Sequence, residues 1–388
     1  MVIGDEMNNI NQKTLPPKWE DRTEEPYYMG ESIQSIPGCI EGCLDPELVD
    51  TVRVNMNKVK ALRIFLIGCG TSYNACQAIA YFCRIALKIP AEAYDAMDFE
   101  LDTPFDVDDR ALVVAISHTG QTLYTCLASE KAKNLGAFTV GISSNQNSRL
   151  SKNAHFGLID PYSHETRPRG KTRSYHTSTL LGLLTVIMTF ASEPIQAVFI
   201  SLMKKIAQAI RQNQSGWEII GRSIASNWAK ITTHYIVAGF GIQKANADEL
   251  GLKIIEVLGE GATSYSLEEF AHGPGASFRK DMGIILFQTD PRALDRCVEI
   301  ARGVAVSDAQ LFIITDATDA SWPTSANIIP LPTIENSGLL GLFPAAAAAQ
   351  ILLYYLAVDK GLNPDVNCLN IHPELAGVSA IFFPPGTH

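Results

Sequence analysis

A charged cluster with helical spacing is the stretch of this chain best suited to acid–base chemistry. Glu249, Lys253 and Glu256 follow at i, i+4 and i+7, so in a helix they share one face, while apolar residues cover another. A segment rich in Gly and Ser follows, which we predict to be a loop, and it ends at His272-Gly273-Pro274. A carboxylate, an ammonium group and an imidazole within reach of one another can exchange protons with a substrate. An exposed helix with i,i+4 ion pairs, followed by an ordinary loop histidine, explains the same pattern.

Hydroxyl side chains follow two predicted strands, at residues 63–67 and 111–116. The polar residues in the two turns are Thr71 and Ser72 in the first, and Ser117, His118, Thr119 and Thr122 in the second. In a parallel sheet such turns lie at the carboxyl ends of the strands, where helix N-termini present free N–H groups to a phosphate. The pattern therefore predicts a phosphate site, with ligand-free helix caps and turns as the alternative.

The strands alternate with helices, which favours an α/β fold with a parallel sheet covered on both faces. Further strands are predicted at 138–142 and 155–159. The glycine turn after the first strand does not match the dinucleotide fingerprint, because Tyr73 stands where a glycine is required. We therefore expect no nucleotide cofactor.

The order of these elements returns in the second half of the chain. Gly68 and Gly70 match Gly239 and Gly241 at the same spacing that relates the second strands of the two halves. We predict an arm at residues 1–30, a first α/β domain at 31–193, a packed helical connector at 194–230 and a second α/β domain at 231–388. Each domain is expected to be a doubly wound, three-layer, flavodoxin-like sheet.

Composition excludes several other classes of protein. The net charge of −10 argues against a nucleic-acid surface. The eight cysteines form no CxxC pair, which is typical of free thiols in a reduced compartment. Cys39 and Cys43 are spaced for adjacent turns of a helix, with a minor redox pair as the alternative. The apolar runs at 180–191 and 342–358 are short for a bilayer, and residues 1–26 lack a signal-peptide pattern, so we expect a cytoplasmic protein without a membrane span.

Four motifs in this order resemble the tandem sugar isomerase (SIS) domain family. They are Cys-Gly-Thr-Ser at 69–72, Ser-x-Thr-Gly-x-Thr at 117–122, the Glu249, Lys253 and Glu256 set, and His272-Gly273-Pro274. The chain is similar to the isomerase module of glucosamine-6-phosphate synthase and to the fructosamine-6-phosphate deglycases, from about residue 31 onward.

The resemblance implies a role for each motif. Ser72, Ser117, Thr119 and Thr122 fall where the family binds the sugar 6-phosphate, and Thr71 and His118 lie in the same turns. Glu256 falls on the base that moves a proton between C1 and C2, and Lys253 on its neighbouring lysine. His272 falls on the residue that assists ring opening from the partner subunit, which implies a homodimer or tetramer. No metal or other cofactor is implied.

The departures from the family shape the expected reaction. The synthase's glutaminase domain is missing here, so we expect no nitrogen from glutamine through that route. The last lysine is Lys360, and the tail at 367–374 lacks the lysine that forms a Schiff base with the sugar. His118, Arg169 and Lys171 stand where the family has neutral or small residues, and these groups could hold a second anion such as an amino-acid carboxylate.

We therefore expect an enzyme acting at C1 and C2 of a hexose 6-phosphate that carries nitrogen, as an amino-sugar isomerase and deaminase or as a fructosamine deglycase. A simple aldose–ketose phosphosugar isomerase would use the same Glu256 but release no amine. A sugar-phosphate sensor without turnover is the alternative from another class, and it would have no need of an acid–base pair.

Overall fold

Two parallel five-stranded sheets organise the chain in the computed structural model, which describes residues 22–165, 170–366 and 376–382. The first sheet contains β1 Arg63–Gly68, β2 Ala91–Asp95, β3 Ala111–Ile116, β4 Phe138–Ser143 and β5 Phe156–Ile159. The second contains β6 His234–Gly239, β7 Gly261–Ser266, β8 Met282–Gln288, β9 Gln310–Thr315 and β10 Asn327–Pro330.

The two sheets have the same topology. The strand orders are β2-β1-β3-β4-β5 and β10-β9-β8-β6-β7, so β6 to β10 repeat the arrangement of β1 to β5, and every neighbouring pair is parallel. This is the order of flavodoxin-like doubly wound sheets. The predicted α/β class, the parallel sheets and the internal duplication are confirmed.

The central strands are apolar and buried, whereas three of the edge strands are not. β3 and β8 are buried along their whole length, while β2 and β7 are mostly half-exposed. An edge strand contacts a neighbour on one side only and needs no continuous apolar run. For this reason the sequence pattern missed β2, β7 and β10.

The segment after the acid–base motif corrects one prediction. It was expected to be a Gly- and Ser-rich loop, but residues 261–266 form β7, which pairs with β6, and Leu267–Ala271 form a short helix. Backbone hydrogen bonds to β6 decide this pairing, and no local residue preference indicates it.

Helices cover the sheets and join the two halves. Those of the first half are α1 Tyr28–Gln34, α2 Ile36–Cys43, α3 Pro46–Met56, α4 Thr71–Phe82, α5 Ala96–Leu101, α6 Leu123–Asn134, α7 Arg149–Asn153 and α8 Arg173–Phe190. The connecting helix is α9 Glu193–Trp228, and those that follow are α10 Gln243–Leu258, α11 Leu267–Ala271, α12 Leu294–Val306, α13 Leu342–Asp359 and α14 Ala376–Phe382.

The largest of three apolar clusters runs through both halves, and the other two belong to one half each. It includes Leu66 and Ile79 from the first half and Tyr235 and Ile285 from the second. The two apolar runs form buried helices as predicted, in α8 and α13. The stretch Gly338–Asp359 is long and apolar enough to cross a membrane, but 89% of its most apolar window is buried inside the protein.

The ends of the predicted domains are less simple than a linear division. Residues 22–30, which we assigned to an arm, include the start of α1, where Met29 is fully buried and its N–H donates to Asp365. The connector α9 packs against α13 of the second half and α2 of the first. The division at residues 30, 193 and 230 stays a prediction.

Candidate functional site

A cleft of about 740 Å³ lies at the carboxyl edge of the first sheet. Its walls come from the loops after β1, β3, β4 and β5, which meet at this edge because the strands are parallel. The residues that line it are Cys69, Thr71, Ser72, His118, Thr119, Gln121, Thr122, Ser144, Asn145, His164, Glu165 and Lys171. Five of the six predicted substrate-binding residues are in this set.

The sixth, Ser117, is 2% exposed and ties the turn after β3 together from behind. Its Oγ lies 3.0 Å from Thr122 Oγ1 and accepts a hydrogen bond of 3.1 Å from the Gly120 N–H. Gly120 has φ +67, and a Cβ at this residue would lie 2.2 Å from Ser148 Oγ. The turn therefore requires glycine, and it presents Thr119 and Thr122 to the cleft at the start of α6.

The turn after β1 brings α4 close to the end of its strand. A Cβ at Gly68 would lie 2.7 Å from the backbone of Ser72, so only glycine allows this approach. Helix α4 begins at Thr71, which places Thr71 and Ser72 in its first turn beside the cleft. Backbone N–H groups in the first turn of a helix favour an anion, and the hydroxyls supply further donors.

The acid–base residues lie directly behind this turn, on α10. Thr71 Oγ1 donates to Glu249 Oε1 over 3.2 Å, and Asn74 Nδ2 donates to Glu249 Oε2 over 2.9 Å. Lys253 Nζ lies 3.7 Å from Glu249 Oε1 and 2.5 Å from Glu256 Oε2. Glu249 therefore connects the cleft wall to Lys253, and Lys253 in turn contacts Glu256.

Burial separates the roles of these three side chains. The side chains of Glu249 and Lys253 are 4% and 1% exposed, whereas that of Glu256 is 35% exposed. The predicted shared face is confirmed, and the alternative of an exposed, ion-paired helix is wrong because α10 packs against α4, β6 and β7. Glu256 is the one carboxylate of the group with a substantially exposed side chain, and it is not among the residues that line the cleft.

The electrostatics keep Lys253 charged. Burial alone would lower the pKa of Lys253, but Glu249 and Glu256 outweigh it and raise the pKa above its ordinary value. Burial raises the pKa of Glu249, which Lys253 and the bond from Asn74 partly oppose. An ammonium group beside a partly exposed carboxylate can stabilise negative charge as that carboxylate removes a proton.

A second polar group, with His118, His164, Glu165 and Lys171, also lines the cleft. The rings of His118 and His164 meet edge to face, with centroids 6.4 Å apart. Burial, followed by the charge of Lys171, lowers the pKa of His118 to about 4. This corrects the sequence interpretation, which grouped His118 with the cations, because at neutral pH its imidazole is uncharged.

Glu165 supports this part of the cleft from within the protein. Its carboxylate accepts hydrogen bonds from the Ser174 N–H and Oγ, from the Thr172 N–H and Oγ1, and from Ser32. Burial would raise the pKa of Glu165, but these bonds and the Lys171 charge lower it. Because it binds the first N–H groups of α8, it holds the segment at 170–172 against the cleft.

His272 makes no described side-chain contact with the other predicted catalytic residues, Lys253 and Glu256. Its side chain is 71% exposed, and its Nε2 lies 3.2 Å from Glu268 Oε1. Glu268 in turn binds Arg296. The role that the resemblance gives His272, in the site of a partner subunit, stays a prediction. Arg169 and the tail at 367–374, which also entered the sequence analysis, lie outside the described residues.

Several residues of the site were not predicted. Ser144 and Asn145 follow β4 as Thr71 follows β1, so the same edge-of-sheet argument could have found them. Asn74 and Glu165 gave no such signal, because their role depends on burial and on partners distant in the chain.

The seven cysteines in the described part of the chain are free, including Cys39 and Cys43.

Comparison with known proteins shows what this chain is similar to. Residues 58–188 match the SIS domain family model. The isomerising glutamine–fructose-6-phosphate aminotransferase of Saccharomyces cerevisiae is 28% identical over 318 residues, covering 79% of this chain and 43% of the relative. The chain spans about half the length of the curated relatives it matches, with shares of 43%, 60% and 55% for three of them.

Solved structures show the same fold. The C-terminal domain of glucosamine-fructose-6-phosphate aminotransferase from Francisella tularensis superposes with a TM-score of 0.77 at 19% identity, covering 89% of this chain and 99% of that one. A glucosamine-6-phosphate deaminase from Thermotoga maritima gives a TM-score of 0.67 at 21% identity, covering 87% and 96%. Residues 58–188 therefore match the SIS domain family, and the chain as a whole shares the fold of these solved structures.

Proposed function

We propose that this chain is an enzyme that moves a proton between C1 and C2 of a nitrogen-bearing hexose 6-phosphate, after which water hydrolyses the resulting imine and releases the amine, as in a deaminase or a fructosamine deglycase. The observation that carries the proposal is the continuous contact from the cleft to the acid–base pair. Thr71 lines the cleft and binds Glu249, which lies beside Lys253, and Lys253 binds Glu256. Relatives and structural neighbours named for amino-sugar phosphates support this choice of substrate.

The phosphate is proposed to bind the hydroxyl side of the cleft. By this we mean Ser72 in the first turn of α4, Thr119 and Thr122 in the turn before α6, and Thr71, whose hydroxyl donates to Glu249 and which therefore borders the phosphate without giving it that hydrogen. A phosphate at this edge receives hydroxyl and backbone N–H donors from two helix N-termini. Ser117 contributes by holding the turn, since its hydroxyl bonds to Thr122 and Gly120.

Proton transfer is assigned to Glu256. The hydrogen on a carbon next to a carbonyl or imine is weakly acidic, so its removal needs a base and a cation that stabilises the resulting enolate or enamine. Glu256 takes the proton from one carbon and returns it to the neighbouring carbon, while the Lys253 ammonium stabilises the negative charge. A Cβ at Gly170 would lie 3.4 Å from Lys253 Cδ, so the cleft segment that carries Lys171 rests on this part of α10.

The active form is proposed to be a homodimer in the cytoplasm, with the assembly extending to a tetramer as the alternative. The side chain of His272 is exposed, and its described contact is with Glu268 rather than with Lys253 or Glu256, which agrees with a role in ring opening in the partner's site. Free thiols throughout the described part of the chain fit a reducing compartment.

Incubation with a panel of sugar phosphates tests the proposal. The panel contains glucosamine 6-phosphate, fructose 6-phosphate with and without ammonia, and fructosyl-amino-acid 6-phosphates, with free amine and sugar phosphate measured by mass spectrometry. Amine release from one of these classes is the expected result. Interconversion of aldose and ketose without amine release would instead identify a simple isomerase, and tight binding without turnover would identify a sensor.

A further inference from the structure

Glu249 is a buried carboxylate to which the proposed reaction gives no direct role. Its side chain is 4% exposed and so offers almost no surface to a substrate, yet Lys253 Nζ lies 3.7 Å from its Oε1. Lys253 Nζ also lies 2.5 Å from Oε2 of Glu256, to which proton transfer is assigned. A buried carboxylate stays ionised only when its partners offset the loss of water. The groups that keep Glu249 ionised therefore act on the charge around the base.

Both carboxylate oxygens of Glu249 accept a hydrogen bond from α4. Asn74 Nδ2 donates to Oε2 over 2.9 Å, and Thr71 Oγ1 donates to Oε1 over 3.2 Å. The two donors are three residues apart on the helix and therefore share a face. Asn74 is itself buried, at 6% exposure, so water does not compete freely for its amide. The shorter bond from the buried donor makes Asn74 the main support of this carboxylate from α4.

Ionisable groups outside α10 also face Glu249 and Lys253. Tyr175 on α8 faces Glu249, but burial holds the pKa of its phenol well above the ordinary value, so it is neutral. Glu165, in the segment before α8, acts on Lys253 as an anion. Burial would raise the pKa of Glu165, but its hydrogen bonds outweigh burial and lower the pKa, so it stays charged. Neither group changes its charge near neutral pH, and the ionisation of Glu249 therefore depends on its own hydrogen bonds and on Lys253.

We propose that Asn74 is a positioning residue for proton transfer, because its hydrogen bond keeps Glu249 ionised and so sets the strength of Glu256 as a base. With Glu249 ionised, the Lys253 ammonium is shared between two carboxylates. If Glu249 takes up a proton, the whole ammonium charge acts on Glu256, and a carboxylate beside an uncompensated cation is a weaker base. This inference rests on the proposed function and adds to it a residue that acts only through Glu249.

Carbon-13 NMR of protein labelled at the glutamate carboxyl carbons measures the ionisation of Glu249 without any turnover. The variant Glu249→Gln assigns the resonance. Asn74→Leu keeps the approximate size of the side chain but removes the donor, and losing a hydrogen bond to a charged group disfavours the ionised form. We expect the titration midpoint of Glu249 to rise by about 1–2 pH units in Asn74→Leu. An unchanged midpoint would overturn the inference.

The pH dependence of kcat, measured with the sugar phosphate that is turned over, tests whether the charge of Glu249 acts on the reaction. In Asn74→Leu the acid limb of the profile should move to higher pH together with the NMR midpoint, and above that limb kcat should return to within about threefold of the wild type. KM should change less than about threefold, because Asn74 contacts no substrate in this account. In a Glu249→Gln background, Asn74→Leu should move the limb no further, since the group through which it acts is gone.

Asn213→Leu is the matched control. Its amide donates to the Ala209 carbonyl within α9, at a half-buried position, so this variant removes the same group and should change neither the NMR midpoint nor the kcat profile. Thermal melting checks that each variant is folded. If Asn74→Leu does not fold, Thr71→Val removes the other donor to Glu249 while keeping the shape of the side chain, and it should move the midpoint in the same direction.

The outcomes separate this inference from the proposed function. If the midpoint of Glu249 rises but the kcat profile does not move, the charge of Glu249 does not govern the base, and the inference is wrong although the proposed function stands. If kcat falls equally at every pH, Asn74 has only a structural role, and again only the inference fails. If no sugar phosphate of the panel is turned over, the proposed function is overturned and the inference with it.

Discussion

Lys253 is held between two carboxylates in a place where water does not reach it. Its side chain is 1% exposed, with Glu256 at 2.5 Å and Glu249 at 3.7 Å. Removing an ammonium group from water costs several kcal/mol, which the two carboxylates and their hydrogen bonds offset only while the group is complete. The same residues therefore determine local stability and the charge available to the reaction.

Removing the charge of Lys253 while keeping both carboxylates should destabilise the fold. Lys253→Met preserves the volume but leaves Glu249 buried without its cation, so we expect a loss of about 3–5 kcal/mol in the free energy of unfolding. Adding Glu249→Gln should restore part of the loss, because the orphaned charge is removed. Urea unfolding of the single and double variants measures both effects, and a double variant no more stable than Lys253→Met would contradict the account.

Glu256 should affect turnover and not binding. Glu256→Gln keeps the shape of the side chain but removes the base, so we expect kcat to fall by about 10²–10⁴-fold. The Kd for a substrate 6-phosphate, measured by titration, should change less than threefold. Glu47→Gln, an exposed position at the start of α3, is the control and should change neither. Loss of binding in the Glu256 variant would mean that this residue holds the ligand and is not the base.

At the scale of elements, the site depends on where strands stop. The turns after β1 and β3 bring the first residues of α4 and α6 to one edge because the strands are neighbours and parallel. Glycines at 68 and 120 allow the backbone to turn without a steric clash. The proposed phosphate site is thus a property of two adjacent βα units and of their shared direction.

The hydroxyls of the turn after β3 should strengthen the binding of phosphorylated ligands and not that of unphosphorylated ones. The double variant Ser117→Ala and Thr122→Ala removes the 3.0 Å contact inside the turn and one hydroxyl from the cleft. We expect affinity for 6-phosphates to fall by roughly tenfold or more, because each lost hydrogen bond to a charged group is worth about 1.5–3 kcal/mol. Affinity for the unphosphorylated sugar should stay the same.

Titration of paired phosphorylated and unphosphorylated ligands checks this expectation. Ser226→Ala, at an exposed position on α9, is the matched control because its hydroxyl bonds only to a carbonyl of its own helix, at Ser223. An equal loss of affinity for both kinds of ligand would show that this turn does not bind the phosphate.

At the scale of the whole molecule, we propose that a second copy of the chain completes the site. His272 is far more exposed than the acid–base pair and binds only Glu268 among the contacts described for its side chain. If it acts in the partner's site, each active site contains Glu256 from one chain and His272 from the other.

Mixing two inactive variants tests this arrangement. Glu256→Gln and His272→Asn chains, denatured and refolded together in equal amounts, should form mixed dimers in which one of the two sites is intact. Random association predicts about one quarter of the wild-type activity. The variants mixed without refolding provide the control. No recovery, together with confirmed mixed dimers by native mass spectrometry, would place His272 in its own chain's site or outside the reaction.

The stability of the whole fold should depend on pH through buried groups whose pKa values are shifted in opposite directions. Burial raises the pKa of Asp160 to about 6, although Thr177 and the N–H groups of Tyr162 and Ser163 lower it. The folded state therefore takes up a proton, and the contribution of Asp160 to stability falls as pH rises from about 4 to 6. Burial lowers the pKa of His118 and His176 to about 4, so their contribution is lost as pH falls from about 6.5 to 4.

Replacing Asp160 should make the effect of the buried histidines on the free energy of unfolding visible. Asp160→Asn keeps an acceptor for the backbone N–H groups but cannot titrate. We expect the loss of unfolding free energy between pH 6 and 4 to become steeper by up to about 3 kcal/mol, from a shift of roughly two pKa units. Urea unfolding at several pH values measures the slope. An unchanged slope would show that Asp160 does not titrate in this range.

Periodicity and turn residues in the sequence predicted most of the architecture. Apolar runs such as 111–116 must be buried in a parallel sheet, and the return of Gly68 and Gly70 at Gly239 and Gly241 indicated a duplicated unit. The spacing of Glu249, Lys253 and Glu256 placed them on one helical face, since 3.6 residues form one turn. These conclusions depend on neighbours within a few residues, which a sequence displays directly.

Only the tertiary structure decided which of these residues meet and which are buried. Thr71 contacts Glu249 across a long separation in the chain, and Glu165 caps α8 beneath the cleft. β7 forms because β6 offers it hydrogen bonds, although its own residues resemble a loop. Lys253 is charged and inaccessible while Glu256 is partly exposed, a difference that spacing cannot show, because burial depends on packing between distant segments.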